Sequence, residues 1–94
     1  MEKGAEQDFA TELARLRRDI DRVDAELLTL LNERAGLSLA VGRLKKKHGR
    51  DVFAPEREKQ LLETLLARNS GPLSPAQLAG LYRALFAVSR ELQD

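Results

Sequence analysis

Apolar residues recur through the first half of the chain at alternating steps of three and four. The series is Leu13, Leu16, Ile20, Val23, Leu27, Leu30, then Arg34, then Leu37, Val41 and Leu44. This spacing puts one apolar stripe on a helix, and a seam kept for more than four heptads is of the coiled-coil kind. Asp8 reads as the N-cap of that helix. Gly36 and Gly42 fall inside it, each costing up to about 1 kcal/mol of helix propensity. Both leave room for another backbone or a ligand. The pattern breaks at Lys45-Lys46-Lys47-His48-Gly49-Arg50-Asp51, with Gly49 as the stop. Pro55 suits the first turn of a second helix, which carries Leu61, Leu62, Leu65 and Leu66 on one face. Asn69-Ser70-Gly71-Pro72 reads as a turn. Ser74-Pro75-Ala76-Gln77 then opens a third helix with a capping box, and Leu78, Leu81, Tyr82, Leu85, Val88 and Leu92 form its stripe. The expected fold is all-α, with one long and two shorter helices in a single domain over residues 1–94. Residues 1–8 are expected to be a disordered N-terminus.

Length changes this picture. A helix over residues 8–46 is roughly 58 Å long at 1.5 Å per residue. A compact domain of this size has a radius of gyration near 13 Å, by the usual scaling of about 13 Å for 100 residues. The remaining chain cannot cover such a seam, and a second copy is the simplest cover. Composition agrees with helices. Leu and Ala fill 30 of the 94 positions, against 12 for Val, Ile, Thr, Tyr and Phe together. The absence of Cys excludes a disulfide scaffold, a thiolate metal site and a cysteine nucleophile, and the single His48 excludes a multi-histidine metal site. Lys+Arg 16 against Asp+Glu 15 predicts no polyanion partner, hence no nucleic acid. The longest run without charge, residues 69–82, is short of a membrane span and interrupted by Pro72 and Pro75. The opening Met1-Glu2-Lys3-Gly4 carries no signal-peptide pattern, so the cytoplasm is the expected location.

Candidate chemistry lies in polar residues on apolar stripes. Arg34 takes a seam position. Glu58 shares the inward face of Leu61, Leu62 and Leu65, and Ser89 and Gln93 sit on the inner face of the third helix. One reading pairs Arg34 with Glu58 as a buried ion pair and bonds Ser89 back to a helix carbonyl. The other places a small anion among convergent side chains in a helical bundle. Arg34 and Lys45 are eleven residues apart, on one helix face, with Cα atoms roughly 16 Å apart. Two long basic side chains across that span leave a gap suited to a compact dianion. Arg17 is about 25 Å from Arg34 along the same helix and reaches such a gap only from an antiparallel partner. A surface role for Arg17, and for Arg57, stays open at this point.

The same residues resemble the all-helical class of chorismate mutases. Leu16-Arg17-Arg18-Asp19-Ile20-Asp21-Arg22-Val23-Asp24 is similar to that family's opening LRxxID..D. Leu27-Leu28-Thr29-Leu30-Leu31-Asn32-Glu33-Arg34 resembles its LLxLLxxR, Val41-Gly42-Arg43-Leu44-Lys45 its VGxxK, and Pro55-Glu56-Arg57-Glu58 its PxRE. Ser89 and Gln93 match its terminal serine and glutamine. No single motif is specific; five in order and in register are. The resemblance implies an intertwined antiparallel homodimer of three-helix chains. It implies the Claisen rearrangement of chorismate to prephenate, which needs no metal, nucleophile or cofactor. It further implies that Arg34 and the partner subunit's Arg17 bind the two carboxylates, that Lys45 and Gln93 hydrogen-bond the ether oxygen, and that Glu58 holds the ring hydroxyl. Arg57 and Ser89 would support the carboxylate side. Ala54 departs from the family, which often has Asp before the proline; a backbone N–H remains there, and a side-chain contact to substrate is lost. Residues 69–73 resemble mutase domains joined to the first enzyme of the shikimate pathway, which raises that enzyme as a fusion or complex partner.

Two other readings compete. A non-catalytic helical dimerisation or regulatory module explains the seam and treats Arg34 and Glu58 as register-setting ion pairs, but leaves Lys45 and Gln93 without a role. A nucleic-acid binder built on residues 45–50 conflicts with the near-zero net charge and the lack of aromatics in that run.

Overall fold

The computed structural model describes residues 2–94. Three helices follow in order, α1 (Glu2–Lys47), α2 (Pro55–Arg68) and α3 (Pro75–Gln93), and no strand occurs among the described residues. The chain divides into two units, Met1–Arg34 and Ala35–Asp94.

The first unit is helical from Glu2 onward, so Asp8 lies inside α1 and does not cap it; of the segment expected to be disordered, residues 2–8 are helical and Met1 lies outside the described residues. The physical reason is local: Glu2, Lys3, Ala5, Glu6 and Gln7 are all good helix formers. Ion pairs run along the surface of this unit, Arg15 to Glu12 at 2.8 Å, Arg15 to Asp19 at 3.6 Å and Arg22 to Glu26 at 3.4 Å. All are more than half exposed, so each adds only about 0.3–0.5 kcal/mol. Thr29 and Asn32 turn their side chains onto the carbonyls of Ala25 and Leu28, four residues back. Leu16, Ile20, Val23, Leu27 and Leu30 of the seam are exposed, while Leu13 and Arg34 are half-buried.

The second unit opens on the last turns of α1 and ends them as expected at Gly49. The N–H of Arg50 reaches the carbonyl of Lys45 at 2.8 Å, and that of Gly49 reaches Lys46 at 3.2 Å. This is the Schellman arrangement, and Gly49 takes the positive φ of 63° that it requires. α2 begins with Pro55 at its first position, and Glu56 and Glu58 stand at the positive end of its dipole. Its N-cap, Ala54, offers no side-chain acceptor. An Asp or Ser there is worth about 1 kcal/mol, so the departure at Ala54 weakens the start of α2 as well as removing a polar group. Asn69 shapes the following turn by donating to the carbonyl of Leu73 at 2.8 Å. α3 then starts with the full capping box: Gln77 N–H donates to Ser74 Oγ at 3.1 Å and Ser74 N–H to Gln77 Oε1 at 2.9 Å.

α2 packs on α3. Leu61, Leu62, Leu65 and Leu66 are half-buried there, as are Leu78 and Leu85. The most deeply buried apolar side chains are Ala79 and Phe86, with Tyr82 set edge-on to Phe86 at 6.0 Å between ring centres. This corrects the stripe expected on α3. Leu81 and Val88 are exposed, and the buried line runs through Ala79, Phe86 and Ser89. No described helix is long and apolar enough to cross a membrane.

Candidate active site

The site residues of the second unit gather where the end of α1 meets the end of α3. Small side chains make that approach possible. Ser38 and Ser89 are both buried, and Ser38 Oγ donates to Ser89 Oγ at 3.2 Å. One turn further along each helix, Gly42 faces Gln93. A Cβ on Gly42 would stand 2.7 Å from both the Cα and the carbonyl oxygen of Gln93. Gly36, the other helical glycine of the seam, meets nothing within 4 Å among the described residues. The close approach therefore belongs to Gly42.

That contact supports a testable expectation. Gly42→Ala forces backbone apart, at about 1–3 kcal/mol for overpacking, against about 1 kcal/mol gained in helix propensity. The melting temperature should fall. A rise would mean that the two helices stand further apart than described.

Next along α1 comes Lys45, half-buried. Its Nζ donates to the carbonyl of Val52 at 2.8 Å and to Gln93 Oε1 at 3.4 Å. Two residues 48 apart in sequence are thus brought into contact. Lys46 pairs with the carbonyl of Asp94, tying down the same helix end. The Lys45 contact has a consequence for donors. An ammonium has three N–H groups, and two are engaged here. With its oxygen turned to Lys45, the Gln93 amide points its NH₂ elsewhere. One lysine N–H and the glutamine NH₂ remain for an acceptor beside them.

Glu58 is half-buried, as its place on the α2 stripe predicts. Its partner is Arg90: Nη1 lies 2.7 Å from both carboxylate oxygens. This pair ties α2 to α3. Arg90 also stacks over Phe53, its guanidinium carbon 5.4 Å from the ring centre. Sequence reading missed Arg90 and Ser38. The available signals were spacing alone: Arg90 precedes Gln93 by one turn, and Ser38 precedes Gly42 by one turn. Ser89 accepts from Ser38 of α1, a contact between helices that its position on the stripe did not announce. Ala54 is half-buried, its carbonyl accepting the first N–H bond of α2, from Glu58 at 3.2 Å. Arg57 is exposed. Arg17 and Arg34 belong to the first unit, where Arg17 is exposed and Arg34 half-buried. No group of three or more metal-binding side chains occurs among the described residues.

Comparison with known proteins gives these contacts a context. Residues 16–94 match the family model described as chorismate mutase type II. The bifunctional chorismate mutase/prephenate dehydratase of Aquifex aeolicus is 38% identical over 86 residues, covering 87% of this chain and 24% of that protein. The protein of the same name from Neisseria gonorrhoeae is 42% identical over 80 residues, covering 81% of the chain and 22% of that protein. The chain thus spans about a quarter of the length of these curated relatives. Among solved structures, a chorismate mutase from Thermus thermophilus superposes with a TM-score of 0.86 at 35% identity, covering 87% of this chain and 93% of that one. A chorismate mutase from Helicobacter pylori, solved in complex with prephenate, gives 0.82 at 32% identity, covering 88% and 90%.

Proposed function

We propose that this chain, which belongs to the chorismate mutase type II family, catalyses the rearrangement of chorismate to prephenate as a cytoplasmic homodimer. The observation that carries the reading is the contact of Lys45 with Gln93, which sets two donor side chains side by side with one ammonium N–H and one amide NH₂ still to offer. The rearrangement breaks the ether C–O bond and forms a C–C bond within one molecule. No atom enters or leaves. Negative charge grows on the ether oxygen as the bond breaks. Donors already fixed in place stabilise that charge without reorganising, and one such donor is worth roughly 2.7–4 kcal/mol. Lys45 and Gln93 are these donors. Arg34 and the partner subunit's Arg17 hold the two carboxylates, with Arg57 and Ser89 in support. Glu58 accepts from the ring hydroxyl, and Ala54 offers only its backbone. Holding the substrate in the folded conformer in which the reacting carbons meet supplies the rest.

Chorismate loss followed by absorbance tests this reading. Activity above the buffer rate is expected, undiminished by EDTA and dialysis, because the reaction asks for no metal or cofactor. A folded sample that leaves chorismate at the buffer rate refutes the enzyme and favours the dimerisation module.

The dimer is supported by the exposed seam. Leu16, Ile20, Val23, Leu27 and Leu30 of the first unit are 48–60% exposed, and Leu37, Val41 and Leu44 of the second 41–63%. Such a row of large apolar side chains marks an interaction surface. Sedimentation at micromolar concentration should give about twice the chain mass of 10.5 kDa. A folded, active monomer contradicts it. Association with the first shikimate-pathway enzyme is a further proposal, supported by residues 69–73 alone; the Aquifex and Neisseria relatives carry a prephenate dehydratase in their names instead.

A further inference from the structure

We propose that Arg90 is a positioning residue for the rearrangement, acting through Glu58; the inference rests on the mutase reading above. Arg90 and Glu58 stand on different helices, 32 residues apart, and their side chains are only 38% and 24% exposed. The surface pairs of α1 are 54–68% exposed, so this pair is screened far less by water. Its geometry is also constrained. One nitrogen, Nη1, carries two N–H groups, and it lies 2.7 Å from each carboxylate oxygen. The guanidinium is held from a second side as well, because it lies over the Phe53 ring with its central carbon 5.4 Å from the ring centre.

A carboxylate offers about four lone-pair sites. Arg90 takes one on each oxygen of Glu58 and so fixes the direction in which the other two point. A hydroxyl donor then meets an acceptor whose orientation is already set. Arg90 also sits in the turn of α3 that carries Ser89 and Gln93. The acceptor for the ring hydroxyl on α2 and the donor for the ether oxygen on α3 are thereby held to one another through a single side chain. Arg90 itself contacts neither substrate group; its effect passes through Glu58.

A purely structural ion pair would change stability and nothing else. A positioning role predicts a split in the kinetics. The hydroxyl contact is present in both bound substrate and transition state, so its loss raises KM and leaves kcat nearly alone. Arg90→Met keeps the apolar stem and removes the fork. Its KM should rise about tenfold or more, as for a lost hydrogen bond to a charged group, with kcat within about threefold. Glu58→Gln in the same background should add little, because the two act as one unit. Arg90→Lys, which keeps the charge without the planar fork, should restore part of the KM. If Arg90→Met does not fold, Arg90→Lys decides alone, through a KM raised severalfold at near-normal kcat. Unchanged KM in an active protein, or effects of positions 58 and 90 that simply multiply, overturns the positioning role and leaves the mutase reading standing. An inactive wild-type protein overturns both.

Discussion

Lys45→Ala is expected to lower kcat at least about a hundredfold while the protein stays folded. The charge on the ether oxygen exists only as the C–O bond breaks, so a donor aimed at it acts mostly in the transition state. Its removal therefore appears in kcat as well as in KM. The stability cost is bounded by what Lys45 touches. It is half-buried and its bonds go to the carbonyl of Val52 and the amide oxygen of Gln93. Losing them costs about 1 kcal/mol, or roughly 4–8 °C in melting temperature for a domain of this size. No apolar cavity opens. Lys46 and Lys47 remain to complement the end of the α1 dipole. Two measurements on one variant, steady-state kinetics and a thermal melt, separate the roles. An unchanged kcat would make Lys45 a structural clamp on the 48–54 loop and nothing more.

Mixing two dead variants should return about one-quarter of wild-type activity, by random pairing of chains. Arg17→Ala and Lys45→Ala homodimers are each expected to be nearly inactive, because every site lacks one essential cation. Arg17 is exposed, so its removal leaves the fold of the chain intact. Unfolded together in equal amounts and refolded, half of the dimers are mixed. In each mixed dimer one site carries both lesions. The other joins an intact Lys45 from one chain to an intact Arg17 from the other. One site in four is then whole. Refolded mixtures that stay as inactive as their parents, with chain exchange verified by mass, would show that Arg17 acts within its own chain or not at all.

The features legible in advance were those set within one or two helical turns. The capping box of Ser74 and Gln77, the stop at Gly49 and the start at Pro55 all stand where residue type and local spacing put them. Asp8 misled because a cap residue tolerates the helix interior when its neighbours are good formers. The stripe of α3 was legible only in period. By period alone Leu81 and Val88 are natural inward positions, yet these two are exposed while Ala79, Phe86 and Ser89 are buried. Ser89 is inward because α1 passes close by, with Ser38 on Ser89 and Gly42 on Gln93. Polar residues on apolar stripes drew attention to Glu58 and Gln93, and the spacing from Arg34 drew it to Lys45.

Their partners were beyond reach of such reasoning. Nothing within a turn of Glu58 announces Arg90, 32 residues on, and the nearer candidate by pattern was Arg34. Bond geometry fixes which residues share a helix face, since neighbours at three and four residues are set by the backbone itself. Which two faces then meet depends on how closely the helices can approach. In this chain that was decided by a missing Cβ at Gly42, which lets the end of α3 come close enough for Gln93 to meet Lys45.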